Sequence, residues 1–173
     1  MTINKKLQLF LVLTWLSISH TYATPTDKQL TDHLKIVGQG HMSWLFIDLY
    51  QATLYSATGT HQAKLFPQAL NINYKKDIKA AHLISATQKE WSKLSIYSPV
   101  HEKWLTQLTG LWPNIKKGDQ LLFLVESNGL GYFYHNNQLL GGIKSQQFSE
   151  DFLAIWLSQK SSEPKLRAKL LGE

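Results

Sequence analysis

The 173-residue chain contains no cysteine. That one absence excludes disulfides, thiolate metal sites, a thiol nucleophile and lipid attachment through an N-terminal cysteine, so stability has to come from packing. Arginine is nearly absent as well: Arg167 is alone among eighteen basic residues. Arginine is the preferred bidentate reader of phosphate and guanine, and the lysines are scattered in ones and twos, Lys75-Lys76 and Lys116-Lys117 being the densest beyond the first 23 residues. A nucleic-acid partner is therefore not expected. Weak attraction to an anionic membrane is compatible with the basic excess, although a mixed, solvated surface is its commoner meaning.

Long apolar runs are scarce too. The clearest, Leu7 to Ile18, follows Lys5-Lys6 and precedes Thr21-Tyr22-Ala23, the small-residue pattern of a cleavage site. Residues 1–23 are thus expected to be a signal peptide cut after Ala23, and 24–173 a single domain of a periplasmic or secreted protein. Without Lys5 and Lys6, sixteen basic residues face twelve acidic ones. The run is too short for a confident span, so no stable membrane anchor is expected after signal removal; its retention as an anchor is the alternative.

Several chemistries lack their motifs. Six histidines lie beyond the leader, at 33, 41, 61, 82, 101 and 135, and no two are three or four apart, so a helical zinc pair is missing. There is no G-x-S-x-G elbow and no Walker pattern. Gly38-Gln39-Gly40 lacks the third glycine of a dinucleotide loop and reads as a bend or bulge. No metal or cofactor is implied.

Apolar and aromatic patterning is plentiful. Met42 to Tyr55 reads as one long central strand: Met42, Trp44, Phe46, Tyr50, Ala52 and Leu54 alternate with Leu45, Ile47 and Leu49, which makes both faces apolar in the middle. Asp48 interrupts it, either as a hydrogen-bonded structural carboxylate or as an acid at a cavity rim. Leu34 to Val37 forms a short strand before it, and Ala69 to Tyr74 alternates as a half-buried strand. A helix capped by Asp77 runs to about Leu94, and a second is framed by Ser98-Pro99 and Pro113. Three strands follow, Leu121 to Val125, Leu130 to His135 and Gln138 to Ile143, with Asn136-Asn137 as a two-residue turn. Two helices close the chain, the first on Phe148, Phe152, Ile155 and Trp156, the second from Ser162-Pro164 to Gly172. Strands and helices in separate blocks give an α+β fold with a largely antiparallel sheet and helices mainly on one side. Tyr50, Tyr55, Tyr74, Tyr132 and Tyr134 fall on strands, and Trp44, Trp91, Trp104 and Trp156 are read as interior. Core packing accounts for such residues singly; several tyrosines with Asp48 around one cleft would make an apolar pocket with polar handles.

The chain resembles the bacterial, exported branch of the chalcone isomerase-like family. The resemblance is carried by Gly38, Tyr50, Ala52 and Leu54-Tyr55; by Trp112-Pro113 and Gly118-Asp119; and by Phe133-Tyr134-His135-Asn136 with Leu140-Gly141. Its most specific block is Phe148, Phe152, Ile155-Trp156-Leu157, Pro164, Leu166-Arg167 and Leu170-Leu171-Gly172. The resemblance implies an open-faced β-sandwich, a large antiparallel sheet with a helical layer and a cleft between them. In that fold plant enzymes cyclise chalcones, and related non-catalytic members hold a fatty acid. Both use an arginine near the start of a long strand, and here the nearest positions are His41 and Met42; a threonine of the enzymes falls closest to Tyr50. Cyclisation needs a fixed positive group or donor on the ketone, which a neutral histidine replaces poorly. The expectation is an exported, non-catalytic protein holding a small apolar or amphipathic ligand such as a fatty acid, with His41, Tyr50, Tyr74 and Asp48 as cleft residues. An intramolecular lyase or isomerase acting on a chalcone-like phenolic enone and a structural or partner-binding envelope protein with a filled cleft are the alternatives.

Overall fold

The computed structural model describes residues 30–173, so the expected signal peptide lies outside the described residues. Six strands, β1 (Lys35–Trp44), β2 (Ile47–Ser56), β3 (Gln68–Tyr74), β4 (Gln120–Val125), β5 (Gly131–His135) and β6 (Gln138–Ile143), form one sheet in chain order. Every neighbouring pair is antiparallel. Helices α1 (Ala80–Lys93), α2 (Pro99–Leu111), α3 (Gln146–Leu157) and α4 (Pro164–Leu171) make the second layer. This is the α+β, open-faced sandwich that the resemblance implied.

The layers meet in an aromatic core. Alternation along the strands sends Ala52, Leu54, Leu70, Ile72, Phe123 and Phe133 toward the helices, where Trp91, Trp104, Leu108, Phe148 and Phe152 meet them. The rings pack largely edge to face, with centroids 4.8 Å apart for Phe123 and Phe152 and 5.2 Å for Phe133 and Phe152, the geometry that sets positive ring edges against negative faces. Trp91 is wholly buried and its indole N–H donates to the Asp151 carbonyl at 2.8 Å, so the core carries that polar group without loss.

Four expectations are corrected. Met42 to Tyr55 is a hairpin, not one strand: Trp44 pairs with Ile47 across a two-residue turn in which Leu45 and Phe46 both have positive φ, 48° and 66°. Such turns match the twist of the strands they join and usually recruit Asn-Gly, so a Leu-Phe turn gives no warning in the sequence. Trp44, read as interior, is 62% exposed near that tip. Second, Gly38-Gln39-Gly40 does not end a short strand; β1 runs through it with a bulge between Ile36 and Gly38. The two glycines admit α4: a Cβ on Gly38 would lie 2.2 Å from the Lys169 carbonyl oxygen, and one on Gly40 2.7 Å from a Leu166 methyl carbon. Third, β3 is buried on both faces, its outer residue Ala69 packing with Leu34, Leu122 and Leu124 in a second small cluster. Fourth, Asp77 does not cap α1, whose N-cap is Lys79 with no side-chain bond. Its carboxylate accepts instead from the Lys117 N–H at 2.8 Å, with Lys116 Nζ 3.8 Å away.

That bond belongs to a set that ties the turns at one end of the sheet. The Gly118 N–H donates to the Tyr74 carbonyl at 2.9 Å, and the Lys75 N–H to the Leu49 carbonyl at 2.8 Å. The Asp119 carboxylate accepts from the Lys116 N–H (2.8 Å), the Asn136 amide (2.9 Å) and His135 Nε2 (2.9 Å). Burial opposes its charge, but the bonds from Asn136, Lys116 and His135 outweigh it and hold the carboxyl down to about 2.

Candidate functional site

Between the helices and the β1–β4 half of the sheet lies a cleft of about 540 Å³. It lies beside the ring-packed part of the core: Phe123, Phe133 and Phe148 are at most 2% exposed and none of them lines it. The floor is Tyr50, Ile72, Tyr74 and Leu121, and the roof is Leu83, Ala86 and Thr87 of α1 with Phe152, Ile155 and Trp156 of α3. Trp112, just past α2, closes the inner end, and Met42, Trp44 and Leu49 line the side nearest the hairpin. Apolar walls with few polar handles are the usual form of a small-molecule site, and the volume falls within the roughly 300–1,000 Å³ typical of one.

The sequence-derived site divides in two. Tyr50 and Tyr74 both line the cleft, their rings 5.9 Å apart and edge on. The Tyr50 hydroxyl accepts from the Trp156 indole N–H at 3.0 Å, which binds the sheet to α3 across the cleft. Burial pushes the Tyr50 phenol up to about 12, the Trp156 bond opposing, and it raises Tyr74 further. Both are therefore neutral hydroxyls over the ordinary pH range, able to donate a hydrogen bond but poor as bases.

His41 and Asp48 are not in the cleft. His41 pairs with Gln51, one step out of phase with the inward pair Met42 and Tyr50, so its exposed side chain leaves the opposite face of the sheet. Asp48 sits at the base of the hairpin, where its exposed carboxylate accepts from the Ser43 hydroxyl. It is the structural aspartate of the two readings offered above. Arg167 stays away too: its Nε donates to the Leu157 carbonyl at 3.1 Å and its guanidinium stands 3.6 Å from Glu173.

Polar groups at the cleft that the sequence did not mark are His82, Glu90, Lys93 and Glu163. Lys93 Nζ donates to Glu90 at 2.7 Å and to Ser162 at 3.2 Å, and the Ser162 hydroxyl donates to the second Glu90 oxygen at 2.6 Å. The i, i+3 spacing of Glu90 and Lys93 on α1 is the one signal that could have found this rim. One wall atom is unmatched, the Trp112 indole N–H, which is buried with no partner. No cluster among the described residues has the composition to hold a metal ion. A smaller hollow of about 300 Å³ lies between His61, Gln68 and α3, where Lys64 and Glu150 pair at 3.0 Å.

Comparison with known proteins follows this architecture. A Haemophilus influenzae protein described only as uncharacterized is 28% identical over 141 residues, spanning 82% of this chain and 69% of its own. Among solved structures, an Arabidopsis thaliana fatty-acid binding protein superposes with a TM-score of 0.63 at 12% identity, covering 81% of this chain and 87% of that one, a likeness of fold. The sequence profile of the chalcone isomerase-like family matches residues 20–172. The chain belongs to the chalcone isomerase-like family.

Proposed function

We propose that this protein is a non-catalytic carrier that holds a small apolar or amphipathic molecule, of fatty-acid type, in the cleft between sheet and helices, and that it works outside the cytoplasm. The observation that carries the reading is the cleft itself, about 540 Å³ of largely apolar space that the core side chains leave unfilled. Apolar walls that face water across such a cleft gain by covering themselves with an apolar occupant. The polar features suit a ligand with one polar end. Tyr50 and Tyr74 present neutral hydroxyls in the floor, and Lys93 with Ser162 stands at the rim. The solved fatty-acid binding protein of the same fold supports the choice of ligand class.

An isomerase reading draws less support. Ketone activation needs a fixed positive charge or strong donor at the reacting centre, and the lysine of the lining is already paired with Glu90. The test is direct. Protein purified from its host is extracted with organic solvent and analysed by mass spectrometry, and a fluorescent fatty acid is titrated into the stripped protein. A co-purified lipid and saturable binding are expected. Ala86→Trp, which places a large ring in the cleft from an exposed position on α1, weakens binding at least about tenfold without lowering the melting temperature. Failure to find or load any apolar ligand overturns the proposal.

A further inference from the structure

The hairpin that replaced the expected long strand ends in four consecutive apolar side chains turned to solvent. Trp44, Leu45, Phe46 and Ile47 are 62%, 66%, 104% and 45% exposed, and Phe46 touches nothing that shields it. The turn that displays them is strained, because neither Leu45 nor Phe46 is a residue that favours positive φ. A folded domain rarely spends strain on exposing apolar surface, and contiguous patches of this kind mark contact sites. The tip also continues into the cleft, since Trp44 and Leu49 at its base line the cavity wall.

Charge around the tip narrows the partner. The backbone bonds from Lys75 to Leu49, from Gly118 to Tyr74 and from Lys117 to Asp77 bring the pairs Lys75-Lys76 and Lys116-Lys117 to this same end of the sheet. Lys75, Lys76, Lys116 and Lys117 are all exposed there, with Lys79 beside them. The acidic groups at this end are Asp48, Asp77 and Asp119, each bonded to a neighbouring hydroxyl, amide or lysine. An apolar wedge flanked on its β3 side by lysines suits a bilayer with anionic headgroups: the wedge enters the acyl boundary while the lysines meet the phosphates.

We infer that the Trp44–Ile47 hairpin is a membrane-docking tip that inserts into anionic lipid surfaces and sets the Trp44 side of the cleft toward the bilayer. Docking stands on the tip and its lysines alone; that it serves to exchange an apolar ligand rests on the carrier reading. The absence of cysteine makes the test site-specific. An environment-sensitive nitrobenzoxadiazole label is placed at Phe46→Cys or, as a control, at Ser127→Cys, which is exposed in the β4–β5 turn at the opposite end of the sheet. The full chain is then mixed with vesicles of phosphatidylcholine containing phosphatidylglycerol.

Label at 46 is expected to brighten about threefold, to be quenched by brominated lipids and to need roughly tenfold more lipid when Lys75→Glu and Lys76→Glu are combined or when salt is raised. Label at 127 stays dark. No response at 46, an equal response at both positions, or indifference to charge and salt overturns the inference. So does brightening without vesicles accompanied by a dimer in light scattering, which would make a second copy of the chain the cover of the tip. Fatty-acid titration in vesicle-free buffer reads the cleft independently, so loss of one reading leaves the other measurable.

Discussion

Single residues decide how the cleft is held open and how the domain responds to acid. Tyr50 joins sheet to α3 through the Trp156 N–H, so Tyr50→Phe leaves that donor without its acceptor and is expected to cost about 1 kcal/mol in urea unfolding. His101 is a second such residue. It is 1% exposed among Trp91, Trp104 and Tyr97, bonded through Nδ1 to the Ser98 hydroxyl at 2.9 Å, with Nε2 3.3 Å from the Asp151 carboxylate. Nε2 lies near that carboxylate without a well-directed hydrogen bond, so burial prevails and pushes the imidazole below its ordinary value.

A depressed histidine takes up its proton more readily in the unfolded chain. Its contribution to stability is therefore complete above roughly pH 6.5 and declines as pH falls below that. His61, lowered by burial as well, adds to the same slope, whereas the Asp151 carboxyl, pushed up by burial, runs the other way and gains toward acid. Wild-type protein should thus unfold at lower urea near about pH 5.5 than near about pH 7.5, and His101→Gln should shrink that difference without removing it. An unchanged difference in the variant would remove His101 from the account.

At the scale of elements, the seam between β1 and α4 and the β1–β2 turn make opposite predictions. Gly38→Ala drives a methyl into the Lys169 carbonyl, which belongs to helix backbone and cannot swing aside, so a loss of roughly 2–3 kcal/mol is expected. Leu45→Asn with Phe46→Gly supplies the residues that positive φ favours and should stabilise the domain by about 1 kcal/mol, read from the same urea curves. The second result would show that the native turn keeps its apolar residues against its own folding interest.

For the whole molecule, the cleft couples ligand to stability. A ligand that binds only the folded chain at a hundred times its Kd adds about 2.7 kcal/mol, so the melting temperature should climb with fatty-acid concentration, and a tenfold loss of affinity in Ala86→Trp should roughly halve the climb. Calorimetry that shows no shift at saturating ligand would contradict the carrier reading.

Element types, layer architecture and family are all legible in the residue pattern. The prolines that open and follow α2, the Asn136-Asn137 turn and the ring spacing of α3 are local signals that act within a few residues, and the structure follows them, whereas the Ser98 hydroxyl bonds His101 and makes no capping bond. Tyr50 and Tyr74 line the cleft because both take the inward phase of adjacent strands, whereas one step of register and one unmarked turn put His41 and Asp48 outside it, placements that no local pattern announces. Only the tertiary structure decided where the core stops filling space and that two distant lysine pairs meet beside an exposed apolar turn. Those facts depend on long-range pairing and on the volumes of facing side chains, which no local pattern records.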